Sequence, residues 1–229
     1  LVAPDSYYGR IREICDRYGV LLIYDEVMSG AGRTGRHYLG GAHWNAEPDL
    51  IALSKGMAAG YSPLGAMVTS GKLVEPVLDS GGFIHGYTYA GNPLSCSAGL
   101  AVLEEIEKQN LLAKAERTGD LLKSRLEDLM QRFSFIGDVR GKGLLLAVEF
   151  VADRETMQPL PPEMNAHTEV VELAFERGLI IYSRRTRGGR IGDHFLICPP
   201  LIIEETQIDE LLKMFTDTLV EFAQKHKIE

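Results

Sequence analysis

Two short runs of apolar residues, at positions 20–24 and 50–54, constrain the fold of this chain most strongly. Runs of this kind, without polar alternation, indicate strands that are buried on both faces, as in a mainly parallel sheet covered by helices. A third run occupies residues 65–69. A helical pattern over residues 7–19 precedes the first strand, and Gly19 can end that helix in a left-handed conformation. The alternation of helix and strand predicts an α/β fold.

The first two strands are each followed by an ionisable side chain, Asp25 after the first and Lys55 after the second. A lysine at the end of a buried strand is partly desolvated, which increases the fraction of neutral amine that can attack a carbonyl carbon. A carboxylate at another strand end can keep a bound pyridine nitrogen protonated. Taken alone, Lys55 could be an exposed lysine at a helix start, and Asp25 could cap a backbone turn. The surrounding segments decide between these interpretations.

Five characteristic segments include this pair or follow it along the chain. They are Asp25-Glu26-Val27, residues 30–35, residues 48–50, Ser54-Lys55-Gly56 and residues 85–93. In this order they resemble class III aminotransferases, the ω-aminotransferase-like branch of the fold-type I enzymes that use pyridoxal phosphate (PLP). The resemblance extends from near residue 1 to the end of the chain. The chain looks like a carboxyl-terminal portion, because it lacks a counterpart of the family's first half.

The resemblance implies roles for four residues. Lys55 would hold PLP as a Schiff base and would then move a proton between the substrate and cofactor carbons. Asp25 would bond the pyridine nitrogen, and Val27 would pack against one face of the ring. Thr88 would donate to the phosphate of the cofactor in a neighbouring subunit, which implies a homodimer with shared active sites. The role of Glu26 stays open between support of the site and stabilisation of the fold.

Two arginine-containing loops are candidates for anion binding. Residues 30–35 surround Arg33, but they lack the strand-to-helix frame of a dinucleotide-binding or P-loop element, so we interpret Arg33 as structural. Residues 184–190 carry four arginines. An arginine on such a loop could clamp a substrate carboxylate through two hydrogen bonds. Arg190 is the candidate for this substrate contact, although a solvated loop explains the arginines nearly as well.

The resemblance also implies the architecture and the reaction. The expected fold is a fold-type I PLP-dependent transferase, with a mainly parallel sheet in a partial large domain and a smaller C-terminal α/β domain. Residues 1–109 would form the large-domain part and the start of an interdomain helix, and residues 110–229 would form the small domain. The expected reaction transfers an amino group between an amine or amino acid and a ketoacid. Two alternatives stay open, a PLP-dependent aminomutase of the glutamate-semialdehyde type and a non-catalytic fragment that is incomplete on its own.

The rest of the pattern predicts further elements. A helical stretch over residues 94–133 is expected to break near Gln109-Asn110. Residues 137–143 are rich in glycine and are expected to form a turn. The other predicted elements are helices over residues 72–78, 163–177 and 207–225 and strands over residues 144–151, 179–182 and 195–198.

Composition narrows the class of partner and the location. Acidic residues (32) outnumber basic residues (24), and the pI near 5.3 argues against nucleic acid or an anionic membrane surface as a partner. No apolar run is long enough for a membrane helix, and the first residues do not resemble a signal peptide, so a cytoplasmic location is expected. The three cysteines and six histidines lack metal-site spacing, so no metal is expected.

Overall fold

The computed structural model describes residues 1–186 and 191–228. Among these residues, the helices are α1 (Asp5–Tyr18), α2 (Gly71–Asp79), α3 (Pro93–Lys108), α4 (Leu111–Arg132), α5 (Ala166–Glu176) and α6 (Glu205–His226). The strands are β1 (Ile23–Asp25), β2 (Leu50–Leu53), β3 (Ala66–Thr69), β4 (Ile136–Lys142), β5 (Leu145–Asp153), β6 (Gln158–Pro159), β7 (Tyr182–Thr186) and β8 (Ile191–Ile197). Short 3₁₀ helices lie at Gly40–His43, Lys55–Ala58 and Pro162–Met164.

The chain divides into two compact units. The first unit comprises residues 3–113, and the second unit comprises the chain from Lys114 onward together with Leu1–Val2. The domain boundary expected after residue 109 stays a prediction.

The first unit contains a sheet with the order β1-β2-β3, here called the first sheet. β1 and β2 are parallel, with Asp25 opposite Ala52. β2 and β3 are antiparallel, with Ala52 opposite Met67. α1 ends at Gly19, whose left-handed φ of 62° confirms the predicted helix end. The chain then turns directly into the first sheet, so the predicted helix-strand order is confirmed here.

The two faces of the first sheet are covered unequally. Strand alternation puts Ile23, Asp25 and Met67 on one face, where Ile23 and Met67 are 63% and 59% exposed. The opposite face carries Glu26 and Leu53, which are buried. Among the described residues, the face that carries Asp25 therefore includes exposed apolar side chains. An apolar pattern identifies side chains that favour burial, but it does not identify the segment that covers them.

Asp49 fixes the start of β2. Its carboxylate accepts the Leu22 backbone N–H at 2.7 Å and a guanidinium N–H of Arg12 at 2.8 Å. These two donors hold the pKa of Asp49 below its usual range, with the Leu22 hydrogen bond as the larger cause. Because Arg12 belongs to α1, the ion pair ties this helix to the amino end of β2.

The second unit packs helices on an antiparallel sheet. Its described strands have the order β4-β5-β8-β7, and β6 pairs with β5. The core is aromatic at its centre, where the ring centroids of Phe150 and Phe195 are 4.7 Å apart and Phe222 of α6 lies 6.0 Å from Phe150. Leu122 of α4 and Val170 of α5 belong to the same buried cluster. Burial of these apolar side chains is the main favourable term in the stability of the unit.

The predicted break in the long helical stretch is confirmed. α3 ends at Lys108 and α4 begins at Leu111. Between them, Asn110 has a left-handed φ of 49°, and its N–H donates to the Glu107 carbonyl at 3.1 Å. Asparagine tolerates this conformation better than most residues, which explains why the break falls here.

Residues 137–143 lie largely in β4, so the predicted turn is wrong. A Cβ atom added at Gly137 would lie 2.6 Å from the Val151 side chain. At Gly141, whose φ is 144°, a Cβ atom would lie 2.1 Å from the Leu145 carbonyl oxygen. These two glycines therefore allow close approach of β4 and β5, whereas the sequence pattern interpreted them as signals for chain reversal.

The strand predicted over residues 179–182 is displaced, because β7 begins at Tyr182. Arg184 lies opposite His194 in the β7–β8 pair. Arg185 donates to the buried Asp193 carboxylate at 2.8 Å. This ion pair accommodates a mostly buried arginine within the strand, which an apolar pattern does not predict.

Two kinds of feature are not found among the described residues. No helix there is long and apolar enough to span a membrane. Within residues 1–186 and 191–228, no group of three or more His, Cys, Asp or Glu side chains is arranged to hold a metal ion.

Candidate active site

Asp25 and Lys55 lie at one edge of the first sheet. Asp25 is the last residue of β1, and the backbone ladder continues one step further, where Glu26 N–H donates to the Ala52 carbonyl at 2.9 Å. Lys55 follows Ala52 by three residues and begins the 3₁₀ helix Lys55–Ala58. Both Asp25 and Lys55 are exposed. The parallel pairing therefore brings a carboxylate and an amine to the carboxyl ends of neighbouring strands, where ligands bind in open α/β sheets.

A short turn after β1 orients Asp25 and Val27. The backbone N–H of Val27 donates to Asp25 Oδ1 at 3.1 Å. This hydrogen bond fixes the carboxylate at the sheet edge, and its oxygens retain lone pairs that can accept a further N–H donor. Val27 is half-buried and lies in this turn, two residues after Asp25. An apolar side chain beside a fixed carboxylate is a suitable surface for a flat ring whose nitrogen carries a proton.

The backbone of Lys55 is unusual. Its φ is 43°, in the left-handed region that non-glycine residues rarely occupy. The turn is closed by a hydrogen bond from Met57 N–H to the Ser54 carbonyl at 3.0 Å, and Ser54 Oγ donates to the Leu64 carbonyl at 2.9 Å. A strained residue persists where its neighbours fix it, and such residues cluster at functional sites.

Glu26 lies on the opposite face of the sheet from Asp25 and is only 3% exposed. Within the described residues its carboxylate accepts hydrogen bonds from Ser29 Oγ at 2.6 Å, Gly40 N–H at 2.9 Å and Gly41 N–H at 2.5 Å. The sequence alone leaves the role of Glu26 open between support of the site and stabilisation of the fold. Strand alternation together with the adjacent glycines at 40 and 41 is the signal that could have indicated a buried carboxylate held by backbone amides.

Arg33 and its neighbours form a compact loop. Arg33 N–H donates to the Gly30 carbonyl at 3.3 Å, and Gly32 N–H donates to the Tyr38 carbonyl at 3.0 Å. Thr34 is buried and contacts His43, whose Nε2 lies 3.2 Å from the Thr34 hydroxyl. These hydrogen bonds connect the loop to Tyr38 and His43, and the structural role of Arg33 stays a prediction.

Thr88 lies in an exposed turn of the first unit. The turn is closed by Ala90 N–H, which donates to the Tyr87 carbonyl at 2.9 Å. The flanking side chains of Tyr87 and Tyr89 are also exposed. The structure places Thr88 on the surface, and its contact with a phosphate stays a prediction.

Arg190 lies outside the described residues, so its predicted contact with substrate stays a prediction. Two arginines of the same segment are described. Arg184 Nε donates to the Tyr182 hydroxyl at 2.8 Å, and its guanidinium stands 5.6 Å from the centre of that ring. Arg185 forms an ion pair with Asp193 and also donates to the Pro162 carbonyl at 3.0 Å.

A cavity of about 600 Å³ lies within the first unit, lined by Tyr24, Glu26, Trp44, Ile51 and neighbouring residues. Tyr24, Glu26 and Ile51 belong to the face opposite Asp25. The cavity is therefore separate from the edge where Asp25 and Lys55 meet.

The sequence of residues 1–219 matches the family model for aminotransferase class-III. The chain belongs to the class III aminotransferases. An uncharacterized aminotransferase of Bacillus subtilis, YodT, is 41% identical over 221 residues, which covers 96% of this chain and 50% of that protein. The chain spans about half the length of the curated relatives it matches. The family resemblance seen in the sequence is thus confirmed.

Solved transaminase structures confirm the fold. A transaminase from the marine bacterium Virgibacillus has a TM-score of 0.93 and 33% identity, covering 98% of this chain and 50% of that structure. An amine transaminase from an uncultivated Pseudomonas species, solved in its PLP-bound form, has a TM-score of 0.87 and 35% identity, covering 96% and 49%. The fold-type I assignment follows from these similarities. PLP is the cofactor of this family.

Proposed function

We propose that this chain provides the cofactor-binding lysine and aspartate of an enzyme that transfers an amino group between an amine or amino acid and a ketoacid. The supporting observation is the placement of Asp25 and Lys55 at the carboxyl ends of the parallel strands β1 and β2. These side chains fit PLP, because Asp25 offers a carboxylate to the ring nitrogen, Lys55 offers an amine to the aldehyde, and Val27 offers an apolar surface to the ring face. When bound, PLP supplies an electron-accepting ring to the reaction.

Each of these residues then has a distinct task. Asp25 keeps a proton on the ring nitrogen by placing a negative charge next to it. Lys55 holds the cofactor through Nζ, and after the substrate amine takes its place, Nζ carries the proton between carbon atoms. Val27 restricts the tilt of the ring. We propose that Thr88 donates to the phosphate in a partner subunit, which makes the enzyme a homodimer, and that Arg190 binds the substrate carboxylate. The cytoplasmic location also stays a proposal.

Cofactor binding tests the central claim. PLP is added to the purified protein, its visible absorbance is recorded, and the bound form is reduced with borohydride before peptide mass spectrometry. We expect the label on Lys55 and its loss in Lys55→Ala. Lys72→Ala is the matched control, since Lys72 is an exposed lysine of the same unit and lies on α2. A label that persists in Lys55→Ala would refute the assignment.

The reaction type needs a second measurement. An aminotransferase moves the amino group from the donor to pyruvate or 2-oxoglutarate, whereas an aminomutase rearranges a single substrate without net transfer. We expect labelled nitrogen from the donor to appear in the amino acid formed from the ketoacid. The same PLP titration on residues 1–229 alone tests the fragment alternative, because a chain without a visible band does not work as an isolated enzyme.

A further inference from the structure

The contacts of Glu26 depend on glycine. A Cβ atom at Gly41 would lie 2.4 Å from the Tyr24 ring and 3.1 Å from Glu26 Oε1. At Gly40 it would lie 2.9 Å from Ser29 Cβ and 3.1 Å from Glu26 Oε2. The two backbone N–H groups reach the carboxylate because no side chain stands between them. Glu26 thus ties residues 29–41, here called the glycine loop, to the end of β1.

The glycine loop also contacts the turn that carries Lys55. Gly30 N–H donates to the Glu26 carbonyl at 2.9 Å, and a Cβ atom at Gly30 would lie 2.7 Å from Leu53 Cδ2. A Cβ atom at Gly56 would lie 2.7 Å from Ala31 Cβ. The loop therefore packs between the end of β1 and the turn after β2, without room for another methyl group.

Both sides of this contact have a strained backbone. Ala31 has a φ of 55°, and Lys55, which precedes Gly56, has a φ of 43°. A non-glycine residue keeps a left-handed conformation where surrounding contacts fix it. Because Gly56 packs closely against Ala31, the glycine loop contacts the backbone turn that carries Lys55.

We propose that Glu26 is a positioning residue, which acts through the glycine loop to hold the Lys55 backbone and so sets the direction of its amine relative to Asp25. Glu26 does not touch the reacting atoms in this arrangement, because its side chain is on the face opposite Asp25. This inference rests on the function proposed above. It gives Glu26 a specific role, where the sequence left support of the site and stabilisation of the fold open.

The test compares two carboxylates of the first unit in the purified protein, which is prepared without PLP and then loaded with it. Glu26→Gln keeps the shape of the side chain but turns an amide group toward backbone donors. Asp49→Asn makes the same chemical change at the start of β2, at the end of the strand opposite Lys55. Three quantities are measured for each variant, namely the unfolding midpoint of the cofactor-free protein, the rate of PLP attachment to Lys55, and the pH midpoint of the visible band.

We expect Glu26→Gln to slow PLP attachment by about 10- to 100-fold and to shift the pH midpoint, because an error of about 1 Å in a reacting group can have an effect of that size. We expect Asp49→Asn to lower the unfolding midpoint while both cofactor readouts stay at the wild-type value. Ser29→Ala, which removes one donor to Glu26 and keeps the carboxylate, should slow attachment to a smaller extent. If Glu26→Gln does not fold, the rate of PLP attachment in Ser29→Ala tests the proposal instead.

The outcomes separate the two proposals. If Glu26→Gln and Ser29→Ala change only the unfolding midpoint, as expected for Asp49→Asn, Glu26 is purely structural and the positioning role is wrong, while the proposed function stands. If the wild-type protein attaches PLP at a residue other than Lys55, or does not attach it when the complete protein is tested, the proposed function is wrong and the proposed role of Glu26 is wrong as well.

Discussion

Asp25 and Lys55 leave neighbouring parallel strands at the same edge of the first sheet. The register Asp25 to Ala52 places the lysine turn just beyond the aspartate, across a strand spacing of about 4.8 Å. Asp25 carries a carboxylate at the end of β1, and Lys55 carries an amine just after β2. This placement is the basis of the proposal that a flat cofactor is held from two sides, with its nitrogen at Asp25 and its aldehyde at Lys55.

Removing the charge of Asp25 should reduce catalysis without unfolding the protein. A neighbouring carboxylate shifts the pKa of a cationic partner by about 1–3 units, so Asp25→Asn should lower kcat by about 10- to 1000-fold. The rate of the first half-reaction at saturating amino donor measures this effect. Asp79→Asn, at the exposed end of α2, is the control and should keep the wild-type rate. An Asp25→Asn enzyme with unchanged kcat would contradict the role given to this carboxylate.

Mixing two inactive variants should restore activity if Thr88 serves the partner's cofactor. Lys55→Ala removes the amine, and Thr88→Ala removes the proposed phosphate donor. A hybrid dimer then has one site with both residues intact and one site with neither. After dissociation and random reassociation, about a quarter of all sites should be intact, measured as amino transfer per mole of subunit. Activity per mole of subunit that stays at the mean of the two separate variants shows that Thr88 acts in its own subunit or has no role.

The ion pair between Asp49 and Arg12 should make stability depend on pH. The folded-state pKa of Asp49 is below its ordinary value, so its contribution is present above about pH 4 and is lost as pH falls through the folded-state pKa. Asp49→Asn should therefore lower the free energy of unfolding by about 1 kcal/mol at pH 7. Urea denaturation followed by circular dichroism at pH 7 and pH 3 measures the difference between the two proteins. A difference that stays the same at both pH values would contradict this account.

Two glycine substitutions should have opposite effects on stability. A Cβ atom at Gly119 of α4 would lie 2.3 Å from the backbone of Gly143, so Gly119→Ala should lower the free energy of unfolding by about 1–3 kcal/mol. A Cβ atom at Gly9 of α1 would have no other heavy atom within 4 Å. Gly9→Ala should therefore raise the free energy of unfolding by about 0.5–1 kcal/mol. Urea denaturation midpoints at constant slope measure both changes. Equal effects from the two substitutions would show that helix propensity, not contact with Gly143, controls the result.

Local sequence signals predicted the elements that depend on local physics. The end of α1 at Gly19 and the helix break at Asn110 follow from the conformational preferences of single residues, and both were correct. The glycines of residues 137–143 were misinterpreted, because glycine serves both chain reversal and close strand approach. Only the contacts of Gly137 with Val151 distinguish these two uses.

For the candidate site, the sequence by itself indicated the family, which is confirmed, and it named Asp25, Val27 and Lys55 as candidates, because residue type and order along the chain carry that information. It could not determine the placement of Glu26 or the strained turn at Lys55. These depend on contacts between segments separated along the chain, such as Gly41 with Glu26 and Gly56 with Ala31. The tertiary structure decided them, because strand alternation and the glycines at 40 and 41 suggest a buried carboxylate but do not show which backbone amides and methyl groups it meets. Packing distances of this kind exist only once the chain has folded.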